Sequence, residues 1–290
     1  MSRLALGTAQ FGMAYGVGNS SGQVSQEAVR DILEQANAKG IDTLDTAIAY
    51  GNSEQVLGVA GMSQWRVITK LPPLPDDVND VAAWAKGQVI ASLDRLGVSK
   101  LYGLLLHRPE LLLGPHRKAL LQVFEDLKGQ GKVQKTGISI YGPSQLDQLD
   151  DLPEIDLVQS PLSLFDQRLI ASGWLSRLQD CGVEVHTRSA FLQGLLLMPA
   201  YRRPRKFDRW SDVWQVWDSW LSQTGLSPLK ACLYFVLSVS GVSRVIVGLD
   251  STTQLTEILE NMVPDGLPSL PAWLKPLDEE LVNPSLWSSL

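Results

Sequence analysis

Eight short apolar runs recur along the 290-residue chain, and a longer amphipathic stretch follows each. The runs are Leu4–Thr8, Ile41–Thr46, Arg66–Lys70, Leu101–His107, Lys135–Ile140, Leu157–Ser160, Glu184–Ser189 and Arg244–Gly248. They are mostly apolar rather than alternating, which predicts strands buried on both faces and hence a parallel sheet. Between them, SQEAVRDILEQANAKG opens on Ser25 as an N-cap, aligns Val29, Ile32, Leu33 and Ala36, and closes at Gly40. The stretch 78–97 repeats the design with Val81, Trp84, Ala85, Ile90, Leu93 and Leu96 on its apolar face. The stretch 116–131 does so with Leu120, Leu121, Phe124 and Leu127. Shorter helices are expected at 53–60, 144–149, 167–181, 227–239 and 252–261.

Eight β–α units in a chain of this length are the arithmetic of an α/β fold of the (β/α)8 TIM barrel type, with 1–290 as a single domain. A doubly wound sheet would carry a Gly-rich phosphate turn running straight from the first strand into a helix. Here that position reads GTAQFGMAYGVG, and the helix begins about ten residues later. Two segments stand outside the repeat. One is an insertion at 198–222 after the seventh strand, whose Trp210, Trp214, Trp217 and Trp220 share a helical stripe. It reads as a helix packed on the barrel rim, or as a lid or cofactor strap. The other is a Pro-rich tail, 264–290.

Composition narrows the function. With 25 basic and 31 acidic residues the net charge is −6, which argues against a nucleic-acid partner. Cys181 and Cys232 cannot build a disulfide framework, so a reducing, cytoplasmic compartment is expected. His107, His116 and His186 have neither HxH nor HExxH spacing, so no metal is expected. The longest apolar runs are too short to span a bilayer, and the N-terminus lacks an export signal, so no membrane partner is expected. The oligomeric state is left open.

Barrel active sites sit at the C-terminal ends of the strands. Strand two ends in IDTLDTAIAYG, which supplies Asp45 and Tyr50; strand three ends on Lys70 and strand four on His107. Singly, Tyr50 reads as a loop aromatic, Lys70 as a solvated strand end and His107 as a core histidine. Together they put an Asp, a Tyr, a Lys and a His on one rim from consecutive units. The phrases LDTAIAYGNSEQVLG, ITK, LLLHRP and GISIYG resemble the bacterial-type aldo-keto reductases, and the resemblance runs from LALGTAQFG to VGLDSTTQLTEI. It implies an NAD(P)H-dependent reductase of a small carbonyl compound, with Tyr50 as proton donor, Lys70 and Asp45 as its tuning pair, and His107 orienting the substrate. The chemistry is consistent: no side chain carries a hydride, and an ammonium within reach would lower a phenol's pKa of about 10.

The resemblance also assigns a cofactor half. Ser139 and Gln159 would meet the nicotinamide carboxamide. Phe191, Gln193 and Gly194 in RSAFLQGLL would meet the pyrophosphate, and Gly248, Asp250, Ser251, Gln254 and Glu257 would line the adenosine end. Three positions depart from the family pattern. Arg188, also assigned to the cofactor, stands where an aromatic usually lies under the nicotinamide and would stack its guanidinium there, Ile140 replaces an asparagine, and 248–258 has no Lys or Arg. An acidic loop there favours a free ribose 2′-hydroxyl, hence NAD(H) at least as readily as NADP(H). The alternative is that Arg202, Arg203, Arg205 or Lys206 supplies the missing charge. Phe11, Met13 and Tyr15 after strand one, with Trp84 if its helix reaches the rim, would wall the substrate pocket. Two other functions stay in view: a cofactor-bound redox-sensing or partner-binding subunit with little turnover, and a Schiff-base lyase using Lys70.

Overall fold

The computed structural model describes residues 2–19, 21–149, 155–262 and 278–290. Eight parallel strands close into a barrel in sequence order: β1 (Leu4–Gly7), β2 (Thr43–Asp45), β3 (Arg66–Leu71), β4 (Leu101–Leu106), β5 (Val133–Ser139), β6 (Leu157–Pro161), β7 (Glu184–Arg188) and β8 (Arg244–Gly248). Closure is made by β1 against β8, in the register Leu4↔Val245 through Gly7↔Gly248. The (β/α)8 TIM barrel read from the sequence is therefore the fold.

The helices form where the apolar stripes and caps direct. Ser25 accepts from Ala28 N at the start of Gln26–Ala38, which buries Val29, Ile32, Leu33 and Ala36. Asp80 caps Val81–Leu96, and Gly97 ends it in a left-handed conformation. In that helix Val89 faces the core and Ile90 is exposed, a one-position correction to the expected stripe. In Arg117–Gly129 the fourth inward residue beside Leu120, Phe124 and Leu127 is Val123, while Leu121 lies at the edge. The stretch expected as one helix at 167–181 divides into Arg168–Ala171 and Trp174–Asp180, because Gly173 between them has φ +79°.

The insertion forms 3-10 turns, including Arg205–Trp210, that lead into the helix Ser211–Thr224. All four tryptophans point inward. Trp214 stacks on Phe165 just beyond β6 at 5.4 Å, and its indole donates to Phe207 O at 2.9 Å. This is the rim-packing arrangement. Of the tail, 264–277 lies outside the described residues. Beyond it, Glu279–Val282 and Pro284–Ser289 are helical turns that bring Trp287 onto Phe207, with ring centroids 4.8 Å apart.

A second expectation fails at the other side of the mouth. After β1 the chain makes a helical turn, Ala9–Gly12, that drives Phe11 into the core at 0% exposure, so Phe11 walls no pocket. Met13 and Tyr15 remain exposed. Gly12 lies so close to the β2 loop that a Cβ there would sit 1.8 Å from Tyr50 O. Gly12→Ala is therefore expected to cost roughly 1–3 kcal/mol in urea unfolding. Gly87→Ala, on an exposed helical face with nothing within 4 Å, should be neutral or stabilising.

Candidate active site

Three strand ends and one loop build the centre of the site. Asp45 ends β2, Lys70 is next to last in β3, and Gln159 lies in β6, on the far side of the barrel from β3. The Lys70 ammonium, 0% exposed, donates to Asp45 Oδ1 at 2.8 Å, Asp45 Oδ2 at 2.7 Å and Thr46 O at 2.9 Å. Gln159 Nε2 donates to Asp45 Oδ1 at 2.7 Å, and Gln159 Oε1 accepts from Ser139 Oγ at 3.3 Å. Contact between strands that are not neighbours puts this face inside the barrel. Two residues below Lys70 and Gln159, Ile68 and Leu157 join Leu105 in a fully buried apolar cluster that floors the site.

Tyr50 hangs over this pair from the β2 loop. Lys70 Nζ lies 5.1 Å from its ring centroid, and the His107 imidazole meets the same ring edge-on at 5.9 Å and 82°. The four residues expected on one rim are thus brought together. One detail differs from expectation. Lys70 spends its three N–H groups on Asp45 and Thr46, so it does not donate to the Tyr50 hydroxyl. Burial and the Asp45 carboxylate push the Tyr50 phenol well above the usual tyrosine range, and only Arg188 opposes them among the cations. Tyr50 is thereby a protonated phenol at neutral pH. Burial also pushes the Lys70 ammonium down, against the pull of Asp45. His107 is pushed down to about 3 by burial and by Lys70, Arg188 and Arg108, so its ring is neutral at neutral pH.

Arg188 shares the inward face of β7 with Glu184 and His186. Its guanidinium reaches across β6 to donate to Ile140 O at 3.0 Å and to Ser189 Oγ at 3.2 Å, and it lies 4.9 Å from the Tyr141 ring. Arg108, next to His107, lies 5.4 Å from the same ring. Tyr141 and Arg108 were not singled out from the sequence, although each is in a phrase quoted above, GISIYG and LLLHRP. Trp84 packs against the outer core rather than into the mouth.

The residues assigned to a nicotinamide dinucleotide lie at the C-terminal ends of β5–β8 and in the loops that follow β7 and β8. Beyond Arg188, the backbone takes positive φ at Ser189 (65°), Leu192 (45°), Gln193 (54°) and Gly194 (89°). Three of these are not glycine, and strain of this kind collects where a loop cradles a ligand with its amides. Phe191 is buried in this loop. The β1 loop crosses to it: Gly18 N donates to Gln193 O at 3.0 Å, and Gln193 Nε2 to the Tyr15 hydroxyl at 3.2 Å. At the β8 end, Gly248 passes against the side chain of Gln10, and Ser251 caps Thr252–Glu260 by accepting from Gln254 N. Gln254 Oε1 in turn accepts from Asp250 N at 2.7 Å. Asp250 accepts from Asn19 at 3.5 Å, while Glu257 faces solvent one turn further on. The positive-φ loop and the capped helix start fit such a cofactor, while Gln159 is engaged with Asp45 and Ser139 rather than left open to a carboxamide.

Of the basic residues that could compensate the acidic loop, Arg203 is held by Asp218 and lies 4.6 Å from the Trp214 ring, and Lys206 donates to Trp287 O at 2.6 Å. Both are committed elsewhere. Among the described residues no group of three His, Cys, Asp or Glu side chains could hold a metal ion, and no helix is long and apolar enough to cross a membrane.

A model described as Aldo/keto reductase family matches residues 3–264. A Bacillus subtilis (strain 168) protein named Uncharacterized oxidoreductase YqkF is 25% identical over 288 residues, covering 90% of each chain. In fold, the chain is similar to the aldo-keto reductase AKR11C1 from Bacillus halodurans (holo form), with a TM-score of 0.70, 22% identity, and coverage of 93% of this chain and 88% of that one. It is also similar to a putative aldo-keto reductase from Pseudomonas aeruginosa, with a TM-score of 0.64, 21% identity and coverage of 90% and 89%.

The neutral His107 has a measurable consequence. Between its folded value and the ordinary value near 6.5, the unfolded chain binds a proton that the folded chain refuses, so this residue's contribution to stability falls as pH drops through that window. From about pH 7 to about pH 5, wild type is expected to lose up to about 2 kcal/mol more than His107→Asn in urea unfolding. Equal losses in the two proteins would show that the ring is not held neutral.

Proposed function

We propose that this chain, which belongs to the Aldo/keto reductase family, reduces an aldehyde or ketone to an alcohol, with Tyr50 giving the proton and NAD(P)H bound at the C-terminal ends of β5–β8. The observation that carries the reading is the buried Lys70–Asp45 pair under a protonated Tyr50, with His107 at the edge of its ring. A nicotinamide dinucleotide supplies the hydride. The chain's own residues have three tasks. Tyr50 holds a proton at its hydroxyl, where a carbonyl oxygen becoming an alkoxide can take it. Neutral His107 offers an N–H to the same oxygen without giving up its proton, which fixes the angle of approach. Arg188 is the cation that lowers the cost of the phenolate left behind, while Lys70, about 5 Å below the phenol ring, keeps the Asp45 charge paired.

This geometry does not favour a Schiff-base reaction at Lys70. A nucleophilic amine must be reachable and uncharged, whereas this one is wholly buried and locked by three acceptors. The acidic β8 loop and the engaged Arg203 and Lys206 support NAD(H) being used at least as well as NADP(H).

With a panel of aldehydes and either cofactor, Tyr50→Phe is expected to lower kcat by about 10²–10⁴-fold while cofactor affinity is kept. Undiminished turnover in that variant would remove Tyr50 from its role, and a folded, cofactor-saturated wild type without turnover would favour a sensing or partner-binding subunit. Calorimetric titration should give comparable or tighter binding of NADH than of NADPH. Clearly tighter NADPH binding that is lost in Arg202→Gln or Arg205→Gln would overturn the cofactor reading.

A further inference from the structure

We propose that the carbonyl compound taken by this site carries an anionic group, a carboxylate or a phosphate, received by the Arg108 guanidinium at the Tyr141 ring in the field of Arg188. The proposal rests on the reading of the site as a carbonyl reductase and adds the charge class of its substrate.

Three strands contribute to the feature. Arg108 follows β4 beside His107, Tyr141 follows β5, and Arg188 ends β7 on the barrel's inward face. The two guanidinium carbons lie 5.4 and 4.9 Å from the Tyr141 ring centroid, so both cations share one aromatic ring beside the proposed proton donor. The acids nearby are directed at other partners than these two cations. Asp45 is taken by Lys70 at 2.7 Å. Asp166 and Glu279 are both taken by Arg168, at 2.8 and 2.9 Å, and Arg168 also donates to Tyr141 O. Glu110 keeps its charge but accepts from Gln145 and makes no ion pair with either arginine. Among the described residues, neither Arg108 nor Arg188 has a carboxylate within ion-pair distance.

Arg188 is only partly exposed, and two of its N–H groups go to neutral acceptors, Ile140 O and Ser189 Oγ. A guanidinium has five donors in a fixed fork that matches carboxylate and phosphate oxygens. A half-buried one without a counter-ion therefore leaves donors and charge for a ligand. Its field reaches the reacting groups too: Arg188 acts on Tyr50, Lys70, His107 and Tyr15 together. Arg188 also stands where the resemblance places the nicotinamide, so the anion's direct partner is Arg108, with its far end against Tyr141 and the field of Arg188 drawing it in.

The test compares matched pairs of aldehydes in steady-state kinetics with the full chain and its preferred cofactor. The pairs are succinate semialdehyde with butanal, 4-carboxybenzaldehyde with 4-methylbenzaldehyde, and glyceraldehyde 3-phosphate with glyceraldehyde. The first two pairs report a carboxylate and the third a phosphate. For at least one pair the charged member is expected to have a kcat/KM about tenfold or more above its neutral partner, mainly through KM, with the advantage shrinking as salt rises. In Arg108→Gln that ratio should fall toward one, and Arg108→Lys should keep part of it. Equal kcat/KM within every pair would overturn the anionic substrate and leave the carbonyl reductase standing. If no aldehyde is turned over, the reductase reading fails and binding decides separately. Calorimetric binding of 4-carboxybenzyl alcohol that is lost in a folded Arg108→Gln would still support the anion site, and no binding to wild type would overturn it.

Discussion

A lysine ammonium with no solvent contact dictates much of this barrel's mouth. Removing such a charge from water is tolerable only when its donors meet acceptors with good geometry, because an orphaned buried charge costs several kcal/mol. Lys70 meets that condition with both Asp45 oxygens and Thr46 O. Asp45 must then be held in turn, and Gln159 does so from across the barrel, itself steadied by Ser139. The ends of β2, β3, β5 and β6 are thus tied through the interior by one polar chain. The Tyr50 loop rests above that chain, and Gly12 presses on the same loop from the β1 side.

The two ends of the barrel interior are both polar but solve different problems. At the N-terminal end of β7, Glu184 pairs with Lys135 and accepts from Tyr102, and it faces His186 at 2.7 Å. Those ion pairs close on themselves, and they hold the Glu184 carboxyl far below the ordinary range. The Ile68–Leu105–Leu157 layer separates this closed plug from the mouth. At the mouth, by contrast, two arginines make no ion pair among the described residues. Lys70 and Asp45 cancel, but Arg108 and Arg188 face an aromatic ring rather than an acid.

The strands could be read from the sequence because their burial is two-sided and local: each run had to be apolar whichever neighbours it found. Helix starts were readable for a similar reason, since Ser25, Ser227 and Ser251 each cap with an oxygen a few residues from the amide they serve. Failures came where the deciding contact was remote. Ile90 and Val89 are equally apolar, and only the position of the neighbouring helices selects Val89. Phe11 reads as a pocket wall until the Ala9–Gly12 turn aims it into the core. Of the site, residue types and rim positions could be read, because strand ends declare themselves. The direction of each hydrogen bond could not. That Lys70 uses all its donors on Asp45 and Thr46, and that Gln159 reaches Asp45, follows from barrel closure and from no spacing in the chain.

The same reasoning bears on the loops around the proposed cofactor site. The β1 loop touches the β7 loop through Gly18 and Gln193 and touches Asp250 through Asn19. One loop therefore senses both the strained amide segment at 189–194 and the acidic β8 loop. Gly18 and Gly194 permit the approach, since a Cβ on Gly194 would lie 3.2 Å from Gly18 Cα. The strain at Ser189, Leu192 and Gln193 then has structural support from loops on two sides before any ligand is considered. Turns inside the loop add to this, since Leu192 N donates to Ser189 O and Gly194 N to Phe191 O. The acidic character of 248–258 belongs to the same unit. Asp250 is half-buried, and burial raises its carboxyl. Its Oδ1 accepts from Asn19 Nδ2 at 3.5 Å, which ties it to the β1 loop.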